Sequence, residues 1–326
     1  MDGFTELMTP ALISSGIRLA TPIILAALGG ALCNRAGVLN LALEGKMLLG
    51  AFLGIVVAFY AGSTYVGIGV AVLAGGMLGL LFAFLYLRYE VNLIILALAI
   101  NLLILELTVY LMRITFGNVG SWSDPSIQRL QDINIPLIQD IPFMGEVLSG
   151  HNFIVYFSWF ACIAGYVILF WTPFGRHIRA TGENKEAAET AGINTRRVQI
   201  SVLVIAGMLC ALGGAFLSVG HLTLFTRNMS NGRGWVAVVA AIFGFNHPIG
   251  VFFTGMFFGF TEAFAVRVQT VSDLPPNLIQ LIPQFATLLA LVLVGLREKL
   301  SLRLTKNRFR QELELDSESP APTTGD

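Results

Sequence analysis

The chain has 326 residues, of which 55% are hydrophobic and 12% are charged, and its formal net charge is +0. A soluble domain has about a quarter charged residues and rarely repeats apolar runs near 20 residues. The composition therefore excludes a soluble globular protein and indicates an all-α polytopic membrane protein. A β-barrel is disfavoured, because barrel strands alternate over roughly ten residues. Three cysteines stand in apolar context without metal-ligand spacing, which is typical of small core residues: Cys33, Cys162 and Cys210.

Nine apolar segments, within a range of eight to ten, are predicted to cross the membrane as helices. They cover residues 11–33, 38–60, 65–87, 91–112, 152–171, 199–220, 234–246, 249–268 and 277–296. The seventh is too short for a full crossing at about 1.5 Å per residue, which favours a broken helix. GxxxG spacings such as Gly50/Gly54 and Gly75/Gly79 allow close backbone approach, so we expect one compact bundle over residues 1–300.

The distribution of Lys and Arg predicts the orientation of the chain. The segments 172–198 and 297–310 are basic, which places both in the cytoplasm. An even number of predicted spans lies between them, so the two assignments agree. The segment 113–150 is acidic and contains several prolines, and we expect it and the N-terminus outside. The tail 301–326 turns from basic to acidic and is rich in Ser, Pro and Thr, which predicts a disordered, cytoplasmic C-terminus.

One long polar stretch lies between apolar runs: TPFGRHIRATGENKEAAETAGINTRRVQ, residues 172–199. Asn184 can cap a short helix there, Glu186 lies in its favourable first turn, and Gly192 can end it. A short helix with a small, Ala-rich face between two spans suits docking into a groove on another protein. A solvated cytoplasmic loop is the plain alternative. The residues of this docking segment are Gly182, Glu183, Asn184, Glu186, Ala187, Ala188, Ala191 and Gly192.

Placing a polar side chain in lipid costs free energy, so each polar residue inside an apolar segment is a candidate for function. Asn40 and Glu44 lie one helical turn apart, with Lys46 close by. The flanking Gly37 and Gly45 predict an interrupted helix, which leaves backbone groups free to meet a polar solute. The alternative is that Glu44 and Lys46 simply extend to the cytoplasmic interface.

Further polar candidates follow in the fourth span and before the seventh. Asn101 and Thr108 share a helix face and either line a polar pathway or, for Asn101, bond to a neighbouring helix. Asn231 and Arg233 belong to the flexible sequence TRNMSNGRGW, residues 226–235, which predicts a re-entrant element or an ordinary turn. The full set of predicted pathway residues is Asn40, Glu44, Asn101, Thr108, Asn231 and Arg233.

The sequence contains no catalytic constellation. The histidines are isolated, and no HExxH, GxxxxGK[ST] or GxSxG motif is present. We therefore expect a transport subunit rather than an enzyme, with no metal or cofactor bound by this chain. Any energy from nucleotide hydrolysis would have to come from another chain.

Four segments in order carry a resemblance to a known family. AGVLNLALEGKMLLGAF at 36–52, VNLIILALAINLL at 91–103, GENKEAAETAGI at 182–193 and GRGWVAVVAAIFGFNHPIG onward from 232 resemble the permease subunits of bacterial ABC importers. The nucleoside and simple-sugar branch is most similar, within the wider set of ribose and branched-chain amino acid permeases. The resemblance runs over most of residues 15–296.

This resemblance implies a half-transporter in the bacterial inner membrane. Two homologous permease subunits, alike or different, would form the pathway. A cytoplasmic ABC ATPase, possibly tandem, would hold ATP and Mg²⁺, and an extracytoplasmic solute-binding lipoprotein would deliver the small-molecule solute; no nucleic acid is implied. The family's coupling helix corresponds to residues 184–192, although Lys185 stands where many members have proline.

The solute is less closely defined than the class of protein. LNLALEG and GRGW resemble nucleoside-type members more than ribose-type members, so a nucleoside or a related sugar-like solute is expected. A branched-chain amino acid or another small solute is the alternative within the family. An ion-gradient-driven secondary transporter is the alternative from a different class; it would need a protonatable group at mid-membrane, and Glu44 and Glu106 are predicted near span ends.

Overall fold

The computed structural model describes residues 10–117, 120–134, 144–271, 275–279, 281–289 and 292. In chain order its helices are α1 Pro10–Arg35, α2 Leu43–Ala61, α3 Thr64–Tyr89, α4 Leu93–Phe116, α5 Met144–Leu148, α6 Phe153–Trp171, α7 Pro173–Glu183, α8 Lys185–Thr190, α9 Thr195–Ala215, the π-helix Phe216–His221 that continues α9, α10 Arg233–Phe243, α11 Pro248–Val271 and α12 Pro276–Ile279. Residues 281–289 are also helical. The strands are β1 Ser121–Trp122, β2 Asp132–Ile133, β3 His151–Asn152 and β4 Phe225–Thr226.

Within the described residues, 7 helices are long and apolar enough to cross a membrane. They are α1, α2, α3, α4, α6, α9 with its π-helical extension, and α11. The first six predicted spans and the eighth are thereby confirmed as long helices. The seventh is α10, an 11-residue helix, which agrees with the expectation that it is too short to cross alone. The ninth, 277–296, lies only partly in the described residues, and the basic stretch 297–310 and the tail 301–326 lie outside them.

Small residues bring the central helices into direct backbone contact. A Cβ added to Gly207 on α9 would collide with the carbonyl of Gly75 on α3. One added to Gly50 on α2 would collide with the backbone of Ala211 on α9. The helices that carry the GxxxG spacings thus approach as closely as the sequence predicted. The three cysteines are free and buried in this packed centre, as expected.

The bundle has two distinct polar ends. At one end, the Arg35 guanidinium that closes α1 donates to the carbonyls of Asn246 at 3.0 Å and Phe245 at 3.1 Å. The docking segment lies at the same end, because Gly182 packs against the carbonyl of Arg35. At the other end, β1 pairs with β4 and β2 pairs with β3, both antiparallel. Arg35 and the docking segment therefore lie at one end of the bundle, and the two strand pairs lie at the other.

Candidate functional site

A break in the helical path separates α1 from α2. Residues 36–42 are not helical, and Gly37 has a φ of 74°, a left-handed conformation that glycine adopts readily. The Asn40 side chain stabilises the turn into α2, since its Oδ1 accepts from the backbone N–H of Ala42 at 3.2 Å. The interrupted helix predicted from the flanking glycines is therefore present, and it exposes backbone groups that need partners inside the bundle.

Asn101 on α4 supplies partners on both sides of this break. Its Nδ2 donates to the carbonyl of Leu41 at 3.0 Å, and its Oδ1 accepts from the N–H of Gly45 at 2.8 Å. Glycine is needed at position 45, because a Cβ there would press on the Asn101 amide. The bonding between helices expected for Asn101 is present, and it holds the break in one conformation. A place for Asn101 in a solute pathway stays a prediction.

Glu44 joins the break to the short helix α10. One carboxylate oxygen accepts from the N–H of Gly232 at 2.8 Å and the other from the N–H of Gly234 at 2.6 Å. A carboxylate at a helix N-terminus satisfies free amides and is stabilised by the helix dipole. Glu44 therefore caps α10, a half-helix that begins inside the bundle. Sequence reasoning singled out Glu44 and the segment 226–235 but gave no sign that they meet.

Arg233 and Asn231 lie at the entry to α10. The Arg233 guanidinium forms a tight ion pair with Glu262 on α11, and the two side chains are 17% and 21% exposed. Asn231 is exposed and has a φ of 45° in the turn before the helix. The structure thus places five of the six predicted pathway residues at the break or at the start of α10, which Glu44 joins, and adds Glu262, which sequence reasoning missed. We call this set the broken-helix cluster: Asn40, Glu44, Asn101, Asn231, Arg233 and Glu262.

The position of Lys46 differs from the one expected of an interfacial lysine. Its side chain is 0% exposed, its Nζ donates to Asn40 Oδ1 at 3.1 Å, and the Nζ lies 4.7 Å from the centre of the Phe82 ring. An interfacial lysine would keep its ammonium in water. The interpretation that Glu44 and Lys46 extend to the interface is therefore wrong, because Lys46 turns inward and Glu44 is bound to backbone amides.

Thr108 does not join the cluster. It lies on α4 seven positions beyond Asn101, about 10 Å along the helix axis. It is buried, and its hydroxyl donates to the carbonyl of Leu105 in its own helix at 2.9 Å. Its place in a solute pathway stays a prediction.

The docking segment has the secondary structure that its sequence predicts. The Asn184 side chain accepts from the N–H of Ala187 at 3.0 Å and caps α8. At the far end Gly192, with a φ of 83°, donates to the carbonyl of Glu189, and Ile193 donates to that of Ala188. This pair of bonds is the Schellman arrangement that ends helices at glycine.

Exposure divides the residues of the docking segment into two groups. Glu186, Ala187 and Ala191 are exposed, whereas Ala188 is only 4% exposed and packs against the protein itself. The expectation that Ala188 contributes to an outward docking face is therefore wrong. An α-helix of one and a half turns cannot present every alanine to a partner, since neighbouring positions point in different directions.

The docking segment contacts the break directly. Gly182 lies 3.4 Å from the position that a Cβ on Gly37 would occupy. Beyond the docking segment, the Gln199 amide on α9 donates to the carbonyl of Ala36 at 3.4 Å. Residues 36–42 therefore have the docking segment on one side and the broken-helix cluster on the other.

A cleft opens beside the docking segment at the same end of the bundle. Its volume is about 290 Å³, and it is lined by Asn34, Arg35, Arg179, Gly182, Glu183, Phe245 and Asn246. His247, the residue after Asn246, packs on the rings of Tyr166 and Phe170. Partial burial and the nearby Arg35 guanidinium lower the pKa of His247. Among the residues described, no group of three or more His, Cys, Asp or Glu side chains is placed to hold a metal ion.

Long apolar helices, a break and a half-helix together define a class of protein. Polytopic transporters commonly meet polar solutes at discontinuous helices, whose free backbone groups lie within the membrane. The comparisons with known proteins place the chain within that class. It matches the family described as the branched-chain amino acid transport system permease component over residues 12–294.

The chain is also similar to curated transport proteins. It is 30% identical to the guanosine ABC transporter permease protein NupQ of Bacillus subtilis, over 83% of this chain and 88% of that protein. It is 28% identical to the nucleoside ABC transporter permease protein NupC of Lactococcus lactis, over 84% and 89%. It is 29% identical to the glucose ABC transporter permease protein TsgB13 of Haloferax volcanii, over 81% and 71%. The chain belongs to this permease family and is a multi-pass membrane subunit of an ABC transporter.

Replacing Asn101 by leucine is expected to destabilise the protein. Leucine is similar in size but leaves the N–H of Gly45 and the carbonyl of Leu41 unpaired, at a cost of about 1–3 kcal/mol for each group. The thermal unfolding midpoint in detergent should fall by several degrees. Thr108→Val is the matched control, because the Thr108 hydroxyl bonds only within its own helix. Equal midpoints for the two variants would contradict the bridging role of Asn101.

Proposed function

We propose that this chain carries a nucleoside, or a related sugar-like solute, into the cytoplasm as one of two permease subunits of an ATP-driven importer. The observation that supports this most strongly is the similarity to permeases named for guanosine and nucleoside transport over more than four fifths of the chain. The similarity to a glucose permease keeps a sugar-like solute within the proposal.

The charges of the broken-helix cluster favour a neutral solute. Glu44 is occupied by two backbone amides, and Arg233 is paired with Glu262. An amino acid would bring a carboxylate and an ammonium that need unpaired counter-charges in a dry site. A nucleoside needs only hydrogen-bonding groups and apolar surface. The branched-chain amino acid alternative is therefore less well supported by these contacts.

The same contacts disfavour an ion-gradient-driven secondary transporter. Glu106 lies 3.7 Å from the Arg227 guanidinium, so its charge already has a counter-ion. Glu44 is held by its two amide donors in a structural role. Uptake that continued after ATP depletion, under an imposed ion gradient, would favour the secondary transporter.

The orientation and the partners complete the proposal. Residues 172–198 and the C-terminus face the cytoplasm, and 113–150 lies outside, in a bacterial inner membrane. A cytoplasmic ABC ATPase binds the docking segment, a second homologous permease completes the pathway, and an extracytoplasmic lipoprotein delivers the solute. The capped α8, with exposed Ala187 and Ala191, supports the first of these contacts.

A displacement caused by the ATPase can pass through the permease to the place where the solute binds. Movement of the ATPase shifts α8 and α7, Gly182 and Gln199 transmit the shift to residues 36–38, and the shift reaches the break before α2. Because Glu44 binds the start of α10, that half-helix moves with the break. Packed interfaces with two arrangements transmit small displacements in this way.

Uptake by the assembled importer tests the proposed solute. The complete set of subunits, expressed in cells that lack nucleoside and glucose uptake, should accumulate radiolabelled guanosine and not leucine. The matched control is the same set with its ATPase inactivated, which should accumulate neither. Leucine uptake without guanosine uptake would show that the solute has been assigned wrongly.

A further inference from the structure

Trp235 lies on the open side of α10. The buried face of this helix consists of small residues, Gly234, Ala237, Ala240 and Ala241, which pack into the bundle. On the opposite side Trp235 is 40% exposed and Ile242 is 42% exposed. Trp235 follows directly after Gly234, whose N–H binds Glu44 at 2.6 Å. The indole therefore belongs to the first turn of the half-helix, on the side that faces away from the bundle.

Trp235 lies too deep in the bundle to be a residue of the membrane surface. The half-helix has 11 residues and spans about 16 Å, roughly half the thickness of a bilayer core. Just beyond its far end, Asn246 bonds to Asn34 at 2.8 Å and to Arg35, at the polar end of the bundle. Trp235 stands near the other end of α10, so it lies close to mid-membrane and is not a residue of the interfacial aromatic belt.

Polar groups around the start of α10 show that lipid does not cover that end of the half-helix. Glu44, Asn101, Arg233 and Glu262 are each only half-buried in the single chain. Charged and amide groups at such depth face a protein interior or a water-filled cavity, because exposure to hydrocarbon costs several kcal/mol. The surface that carries Trp235 therefore borders the pathway, where a solute can reach the indole.

We propose that Trp235 stacks on the nucleobase of the solute during translocation; this inference rests on the proposed nucleoside function. A planar base offers an extended π-face, and indole is a large, stiff platform for it. Stacking tolerates different bases but depends on their area, so a purine gains more from Trp235 than a pyrimidine. The polar groups at the start of α10 would then meet the hydrogen-bonding part of the solute.

The test compares two nucleosides in the assembled importer. Trp235→Leu and Trp235→Met remove the aromatic ring but keep apolar bulk, and Trp235→Phe keeps a stacking surface. At saturating nucleoside, guanosine uptake per complex should fall about 10-fold in the Leu and Met variants and uridine uptake less, while the Phe variant retains most of both. Trp171→Leu is the matched control, because Trp171 is 76% exposed at the end of α6 and should leave both rates unchanged.

The outcomes separate this inference from the function on which it rests. Membrane levels of each variant, and ATPase activity stimulated by the binding protein, show whether the complex is assembled. If the wild-type importer takes up no nucleoside, both the function and the inference are overturned. If it does, and the Leu and Met variants match wild type or lose guanosine and uridine uptake equally, only the stacking role is overturned.

Discussion

Replacing Glu44 by alanine is expected to abolish uptake. The carboxylate is the partner of two backbone amides, those of Gly232 and Gly234, at the start of a half-helix inside the membrane. Without it each amide is left unpaired at about 1–3 kcal/mol, and the helix dipole loses a stabilising charge. The start of α10 should then separate from the break, and uptake should fall to less than a tenth of wild type. Radiolabelled guanosine uptake per membrane-inserted complex measures this.

Two further variants make the Glu44 result specific. Glu44→Gln keeps one acceptor oxygen and should retain partial activity, because it can satisfy one of the two amides. Glu106→Ala is the matched control: it removes an equally large carboxylate whose partner is the Arg227 side chain and not the start of a helix. Wild-type uptake by Glu44→Ala would show that the cap is dispensable and that the cluster is held by other contacts.

Local features of the fold could be predicted from the sequence because their causes are local. The long helices follow from apolar runs long enough to cross a bilayer. The ends of α8 follow from an asparagine that caps and a glycine that accepts positive φ, and the structure has both. The break before α2 follows from glycines flanking a polar pair. In each case the signal and the structure lie within about ten residues of one another.

Contacts between distant segments could not be predicted in the same way. Glu44 and Gly234 are 190 positions apart, and nothing in either segment specifies the other. The inward turn of Lys46 depends on Phe82 from another helix, and the burial of Ala188 depends on how α8 rests on the bundle. The sequence identified most residues of the broken-helix cluster through the cost of polar groups in lipid, but only tertiary packing shows which of them are partners.

Introducing charge on the exposed face of α8 is expected to uncouple the permease from its ATPase. Ala187 and Ala191 are exposed, lie four positions apart and therefore share one side of the helix. Two glutamates there add bulk and negative charge to a surface that would otherwise fit a groove closely. Ala187→Glu combined with Ala191→Glu should abolish guanosine uptake and co-purification of the ATPase, while the permease remains in the membrane. Ala188 is unsuitable for this test, since its burial means that a glutamate would unfold the segment.

The control for this variant lies at the opposite end of the bundle. Ala61 ends α2 and is exposed as well, so Ala61→Glu makes the same chemical change away from the docking segment and should leave ATPase co-purification intact. A difference between the two variants in ATPase co-purification then reflects the position of the added charge and not the charge itself. Retention of the ATPase by the doubly substituted α8, at wild-type stoichiometry, would locate the docking contact elsewhere, and the cleft lined by Arg35 and Arg179 would be the next surface to alter.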